Sequence, residues 1–314
     1  MKRLLARLLA AALGGTAAPQ AVSAPPFRAV LLSDFNGPYG ATTYPAPLGR
    51  VMRRILNGWK PDLVLSAGDL VAGQSRRLGR AQLDAMWAGF ERAVRAPLAG
   101  AGIPFAFTLG NHDAAPGFLL DRAAAGAYWT AHPPDLHYVD RQKFPFQYSF
   151  VFRGVFVAVL DASGPRQPDR AWLARELARP EARGARVRLV MGHLPLYGLS
   201  VGRSDAGNVL AGADGWRAVM EAGGVTAYIS GHHAAFYPGR RGALNLLASG
   251  GIGGRDYLGH PGTARSTVTL LEFRADGLGF RTFDADTGAE IDINTLPPFL
   301  DGYGGRVERV EELR

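Results

Sequence analysis

The chain contains no cysteine, which excludes disulfides, thiolate nucleophiles and cysteine-ligated zinc or iron–sulfur centres together. Any metal must therefore be held by His, Asp, Asn or Glu. Also missing is an apolar run approaching the ~20 residues that a membrane-spanning helix needs. There is no low-complexity stretch, internal repeat or linker. Basic residues are scattered, and the local clusters Arg76-Arg77 with Arg80 and Arg240-Arg241 are not interleaved with aromatics, which argues against a dedicated nucleic-acid groove. What remains is 314 residues, 47% of them hydrophobic, enough to bury one sizeable core in a single large α/β domain.

The first residues, Met1-Lys2-Arg3, precede a short apolar run from Leu8 to Leu13 and then Ala21-Val22-Ser23-Ala24 before Pro25-Pro26. A basic start, a brief apolar middle and small residues at the end are the parts of a secretory signal, with cleavage expected after Ala24. The expected mature protein is exported, periplasmic or secreted. With 35 basic and 27 acidic residues the formal charge is +8; Lys2, Arg3 and Arg7 belong to residues 1–24, so the remainder carries +5. That mild excess suits a phosphate-bearing ligand through long-range attraction.

Apolar runs bounded by Gly, Pro and Asp recur every thirty to forty residues between segments of helical spacing, the pattern of stacked βα units. The spacing predicts strands at 27–33, 62–67 and 104–109 and helices at 48–59 and 80–98. Arg153-Gly154 joins the strands 148–152 and 155–161 as a hairpin. A helix near 169–177 precedes strands at 187–191 and 225–230, and the last third (244–248, 267–273, 279–284) is mainly β. Two mixed sheets face to face with helices outside accommodate this order. The domain is expected to span 25–296, and residues 297–314, rich in glycine and charge, are expected to fray.

Five of these strands end in polar residues. Ser33-Asp34-Phe35-Asn36 follows the first, Gly68-Asp69 the second, Gly110-Asn111-His112-Asp113 the third, Gly192-His193 a later one and Gly231-His232-His233 the last. Each alone is weak, since Gly-Asp is a common turn and a lone histidine is more often structural than ligating. Together they supply carboxylate, carboxylate, amide, imidazole and imidazole to the carboxyl ends of strands, where α/β sheets bind ligands. That donor set suits a divalent transition metal.

At these positions the sequence resembles the calcineurin-like metallophosphoesterase superfamily, whose pattern is Asp-x-His, Gly-Asp, Gly-Asn-His-(Asp/Glu), a lone His after a strand and Gly-His-x-His, in that order. The resemblance runs from about Arg28 to Gly254, and the unbroken Gly-Asn-His-Asp makes it specific. It implies an α/β fold, a four-layer α/β/β/α sandwich of two mixed sheets flanked by helices. It also implies one or two divalent transition ions (Mn, Fe, Zn, Co or Ni), with Asp69 bridging when two are bound. Asp69, Asn111, His193 and His232 match the family's second metal site completely. The first site would take Asp34 and Asp69 but meets Asn36 and Ala234 where the family has histidines.

Three readings of that first site stand: a harder ion such as Mn²⁺ or Mg²⁺ on Asp34, Asn36, Asp69 and water; a replacement ligand among His233, His260, Tyr39 and Tyr44; or no ion. Purple acid phosphatases in this superfamily use a tyrosine three residues after the second aspartate, and here that place is Ala72. The resemblance further implies that His112 stabilises the phosphoryl oxygens or protonates the leaving group, with Asp113 orienting its ring. Residues 249–254, Ser-Gly-Gly-Ile-Gly-Gly, would let the chain pass close to the metals, and the loop 197–212 would cap the substrate. The function so implied is hydrolysis of a phosphomonoester or phosphodiester, on a phosphorylated small molecule or a diester. A non-catalytic binding protein on the same fold and a secreted nuclease are the alternatives.

Overall fold

The computed structural model describes residues 25–313, so the expected leader at 1–24 lies outside the described residues. The chain builds two sheets. One has five strands: β1 (Phe27–Leu32), β2 (Leu63–Ser66) and β3 (Phe105–Phe107) run parallel, and β11 (Thr267–Arg274) and β12 (Gly277–Asp284) add antiparallel at one side, in the order β12-β11-β1-β2-β3. The other has nine, in the order β13-β14-β9-β10-β8-β7-β6-β5-β4. Its strands are β4 (His137–Lys143), β5 (Gln147–Phe152), β6 (Val155–Val159), β7 (Val187–Met191), β8 (Ala227–Ser230), β9 (Tyr237–Arg241), β10 (Leu244–Ala248), β13 (Phe299–Gly302) and β14 (Gly305–Arg309). Here β6, β7, β8 and β10 are the parallel centre.

Side-chain alternation shows how the layers stack. In β1, Ala29 and Leu31 enter the core shared with the nine-stranded sheet, whereas Val30 and Leu32 enter the core under the helices. Likewise Leu63 and Leu65 of β2 point one way and Val64 the other. A strand buried on both faces reads as an unbroken apolar run, which is how these segments appear in the sequence. Helices α1 (Ala46–Arg53), α2 (Arg80–Phe90), α3 (Ala96–Gly100), α4 (Asn111–Ala114) and α5 (Leu119–Ala131) follow the first three strands. Of these, α1, α2 and α5 cover the outer face of the five-stranded sheet with Val51, Met86, Trp87, Phe90 and Trp129. On the far side, α6 (Arg170–Ala178), α7 (Pro180–Arg183) and α8 (Ala213–Ala222) lie along the nine-stranded sheet, burying Trp172, Leu177, Trp216 and Met220. The result is the α/β/β/α sandwich.

The expected helix at 80–98 is broken into α2, a wider turn over Glu91–Arg95 and α3. A larger difference lies at the end of the chain. The segment expected to fray folds into the β13–β14 hairpin, which pairs antiparallel with β9 through Glu308↔Arg240 and Arg309↔Gly239. Two apolar residues spaced for opposite strands, Leu300 and Val307, are fully buried, and Arg309 donates to the carbonyls of Ile293 and Leu296. Glycine and charge occupy the turn and the solvent face only. Leu300→Ala is therefore expected to lower the unfolding free energy by about 2–5 kcal/mol, read from urea denaturation; a frayed tail would give no change.

Candidate metal centre

The central parallel strands of both sheets end on the same side, and the polar residues of the sequence pattern sit just beyond them. Asp34 follows β1, Asp69 follows β2, Asn111 opens the turn after β3, His193 follows β7 and His232 follows β8. Getting side chains back toward one point from such short turns takes unusual backbone. Asp34, Asp69 and His232 all have left-handed φ, at 48°, 57° and 64°, a conformation non-glycine residues rarely adopt outside functional sites. Gly68, at φ 96°, lies so close to the imidazole of His193 and the backbone of Gly110 that a Cβ would come within 2.7–2.8 Å of them.

Four donor atoms converge. His193 Nε2 lies 2.9 Å from Asn111 Oδ1 and 3.4 Å from Asp69 Oδ2, and His232 Nδ1 lies 2.8 Å from Asn111 Oδ1 and 3.3 Å from His193 Nε2. The outward side of each residue decides which atoms face inward. His193 Nδ1 lies 2.8 Å from the Ala67 carbonyl, so it donates its proton there and Nε2 is the ring atom turned inward. Asn111 Nδ2 donates to Gln74 Oε1 at 2.7 Å, which points Oδ1 inward. Asn208 donates through Nδ2 to Asp205, which aims Asn208 Oδ1 at His232 Nε2 at 2.9 Å and assigns the proton there. Arg203 Nη1 donates to the same Asn208 oxygen at 2.8 Å. Four potential ligand atoms, all buried, thus face one another, and in the metal-free protein a proton on His193 Nε2 holds them together at the place a cation would take.

The electrostatics agree. Burial opposes a charge on His193, yet Asp69 and Asp34 raise its pKa to about 9. Burial, the charge of His193 and that of Arg203 hold His232 well below its usual value. Burial also works against the Asp69 carboxylate, but the surrounding histidines keep it well below the ordinary range. Two imidazoles, an amide oxygen and a carboxylate are a donor set for a divalent transition ion, and among the described residues Asp69, His193 and His232 are the group of three such side chains close enough to share one.

The first site does not assemble in the same way. Asp34 accepts the His232 backbone N–H at 3.0 Å through either carboxylate oxygen, and burial lifts its pKa to about 6. Asn36 turns its amide to the adjacent Gly37 carbonyl, and Ala234 offers no ligating atom. The candidate replacements are occupied or remote in role. His233 is fully buried and ties the loop 197–212, accepting from Leu199 N–H and facing the Asn208 carbonyl at 3.1 Å. Tyr44 donates to the Leu70 carbonyl at 2.8 Å, Tyr39 is 64% exposed with its ring 5.2 Å from that of His112, and His260 is exposed. The expected passage of the glycine-rich turn is present: Ile252 N–H donates to the Asp34 carbonyl, and a Cβ on Gly251 would come within 2.8 Å of Asp34 Cβ.

Asp113 does not orient His112. Its carboxylate accepts the backbone N–H groups of Leu70, Val71 and Gly110 at 2.8, 2.9 and 2.7 Å, which fastens the Asn111 turn to the Asp69 turn. Burial and the neighbouring Asp69 raise its pKa to about 8, against those three donors. The His112 ring is instead held by Nδ1 on the Gly73 carbonyl at 3.2 Å, while its backbone N–H donates to Asp69 Oδ1 at 2.9 Å. Gln74 and Asn208, which set the amide and the tautomer, went unnoticed in the sequence. Gln74 sits in a loop with no pattern, its N–H held by Asp121 of α5, and Asn208 shows only as an Asp-x-x-Asn turn.

The fold matches that of known proteins. The solved purple acid phosphatase from yellow lupin (Lupinus luteus) seeds superposes with a TM-score of 0.63 at 12% identity, over 86% of this chain and 53% of that one; the chain thus spans about half the lupin enzyme's length. GAP50, the anchor in the inner membrane complex of Plasmodium, gives 0.58 at 12% identity over 92% and 90%, and PhoD gives 0.55 at 12% over 85% and 72%. These likenesses are of fold. No curated protein matches the sequence significantly. The calcineurin-like phosphoesterase profile, however, matches residues 27–236, from β1 through the last histidines of the site, and the chain belongs to that family.

Proposed function

We propose that the protein is a metal-dependent phosphoester hydrolase, acting on a phosphomonoester or phosphodiester at a divalent ion held by Asp69, Asn111, His193 and His232. The observation that carries this reading is the convergence of four buried ligand atoms, three of them turned inward by Ala67, Gln74 and Asn208. An ion there supplies Lewis-acid polarisation of the phosphoryl group and acidifies water. The chain's own contribution is positional. His112 donates its Nδ1 proton to the Gly73 carbonyl, and in its imidazolium form the Nε2–H would hold a phosphoryl oxygen or pass its proton to the leaving group. Asp113 holds the turn that carries both Asn111 and His112. The leader-like residues 1–24 support export, to the periplasm or outside the cell.

His193→Ala is expected to lower bound metal and abolish turnover of p-nitrophenyl phosphate or its bis ester. His112→Ala should retain the metal and lose about 10²–10⁴-fold in kcat. Full activity in the first variant removes the proposal; metal binding without turnover of any ester by the unaltered protein leaves a binding protein. A pH dependence follows from His193. In the metal-free protein it is protonated below about 9, and an ion must displace that proton. Apparent affinity, measured by chelator competition, is expected to rise about tenfold per pH unit between pH 7 and 8.5; a flat profile would contradict this.

A further inference from the structure

Two arginines stand beside the cluster of Asp69, Asn111, His193 and His232. The loop 199–203 is zipped to 255–258: Val201 N–H donates to the Asp256 carbonyl at 2.9 Å, Leu258 N–H to the Leu199 carbonyl at 3.1 Å, and Ser200 bridges Tyr257. This brings two arginines to the mouth of the site. Arg203 Nη1 lies 3.2 Å from His232 Nε2, and Arg255 Nη1 lies 3.9 Å from where a Cβ on Gly202 would stand. The Arg255 backbone N–H donates at 2.7 Å to the carbonyl of Ala234, the residue in the position of the missing histidine.

Neither guanidinium has a carboxylate partner within ion-pair distance among the described residues, and Arg255 makes no side-chain hydrogen bond there. They feel each other's charge. Partial burial and then Arg203 pull the Arg255 pKa down, with Asp34 opposing. Two like charges without carboxylate partners, carried on paired loops next to a cation site, are complementary to an anion, and the guanidinium fork fits phosphate oxygens.

We propose that Arg203 and Arg255 form a phosphate seat that replaces the first-site ion, so that the protein works with a single metal and prefers phosphomonoesters. The preference follows from charge. A terminal phosphate is a dianion and gains more from one divalent ion and two guanidinia than a diester monoanion does. The inference rests on the metal reading above and deepens it.

The test uses the full protein loaded with Mn²⁺ or Zn²⁺ and freed of excess ion by gel filtration. Metal content is read by plasma mass spectrometry, and affinity for inorganic phosphate and for dimethyl phosphate by calorimetry. One equivalent of metal is expected, with phosphate bound more tightly than dimethyl phosphate. Arg255→Gln, at an exposed side chain, should weaken phosphate by about 10–100-fold at unchanged metal content, and Arg203→Gln, which also touches Asn208 beside His232, should weaken phosphate at least as much per bound metal. Two equivalents of metal, or phosphate affinity unchanged in both variants, overturns the seat while leaving the hydrolase reading intact. No bound metal at all overturns both.

Discussion

The structure turns on four buried ligand atoms aimed at one point. In water Asp69, Asn111, His193 and His232 would each find partners of their own; here they meet one another around a single proton on His193. Leaving such groups unpaired costs about 1–3 kcal/mol each, so the fold must hold them there against relaxation. It does so by outward hydrogen bonds from each residue and by left-handed turns at Asp69 and His232. The stiffness of the two fully buried central sheets is the frame that bears this load. The proton that Asp69 and Asp34 stabilise on His193 marks the position a metal ion would take.

The support reaches far along the chain. Asn208 belongs to a loop whose start, Gly198, donates its N–H to the Tyr303 carbonyl, and Tyr303 N–H donates to Ser204. Tyr303 sits at the tip of the C-terminal hairpin, and that hairpin is anchored by Leu300 and Val307 in the core. The last residues of the chain therefore brace the loop that sets the tautomer of His232. The same loop carries Arg203. Metal ligands, phosphate seat and tail are one mechanical unit rather than separate additions to a fold.

Much of this was legible in the residues because burial on both faces leaves an unmistakable trace. The apolar stretches 29–32 and 63–65 and the run 189–191 mark buried strands, and short turns after them carry the polar residues in order. Edge elements leave less. The exposed, charged strand β4 and the hairpin β13–β14 alternate too weakly to stand out, and the hairpin's two anchors are lost among Gly, Arg and Glu. The site was legible in its ligands but not in what orients them. The family resemblance makes Asp113 a partner for His112, yet on a tight helical turn its side chain faces back to three backbone N–H groups instead. Gln74, Asn208 and Arg255 act across loops, and loop geometry has no period to read.

The loss of Asn36 and Ala234 as imidazoles has a physical counterpart in what surrounds them. Asp34, deprived of histidine partners, binds the His232 backbone and helps fix that residue's left-handed turn. One site has become scaffolding for the other. The direct measurement is an anomalous-difference map from crystals grown with Mn²⁺ or Zn²⁺. A single peak bounded by Asp69, Asn111, His193 and His232 is the predicted result; a second peak beside Asp34, or none at the four donors, would contradict the account.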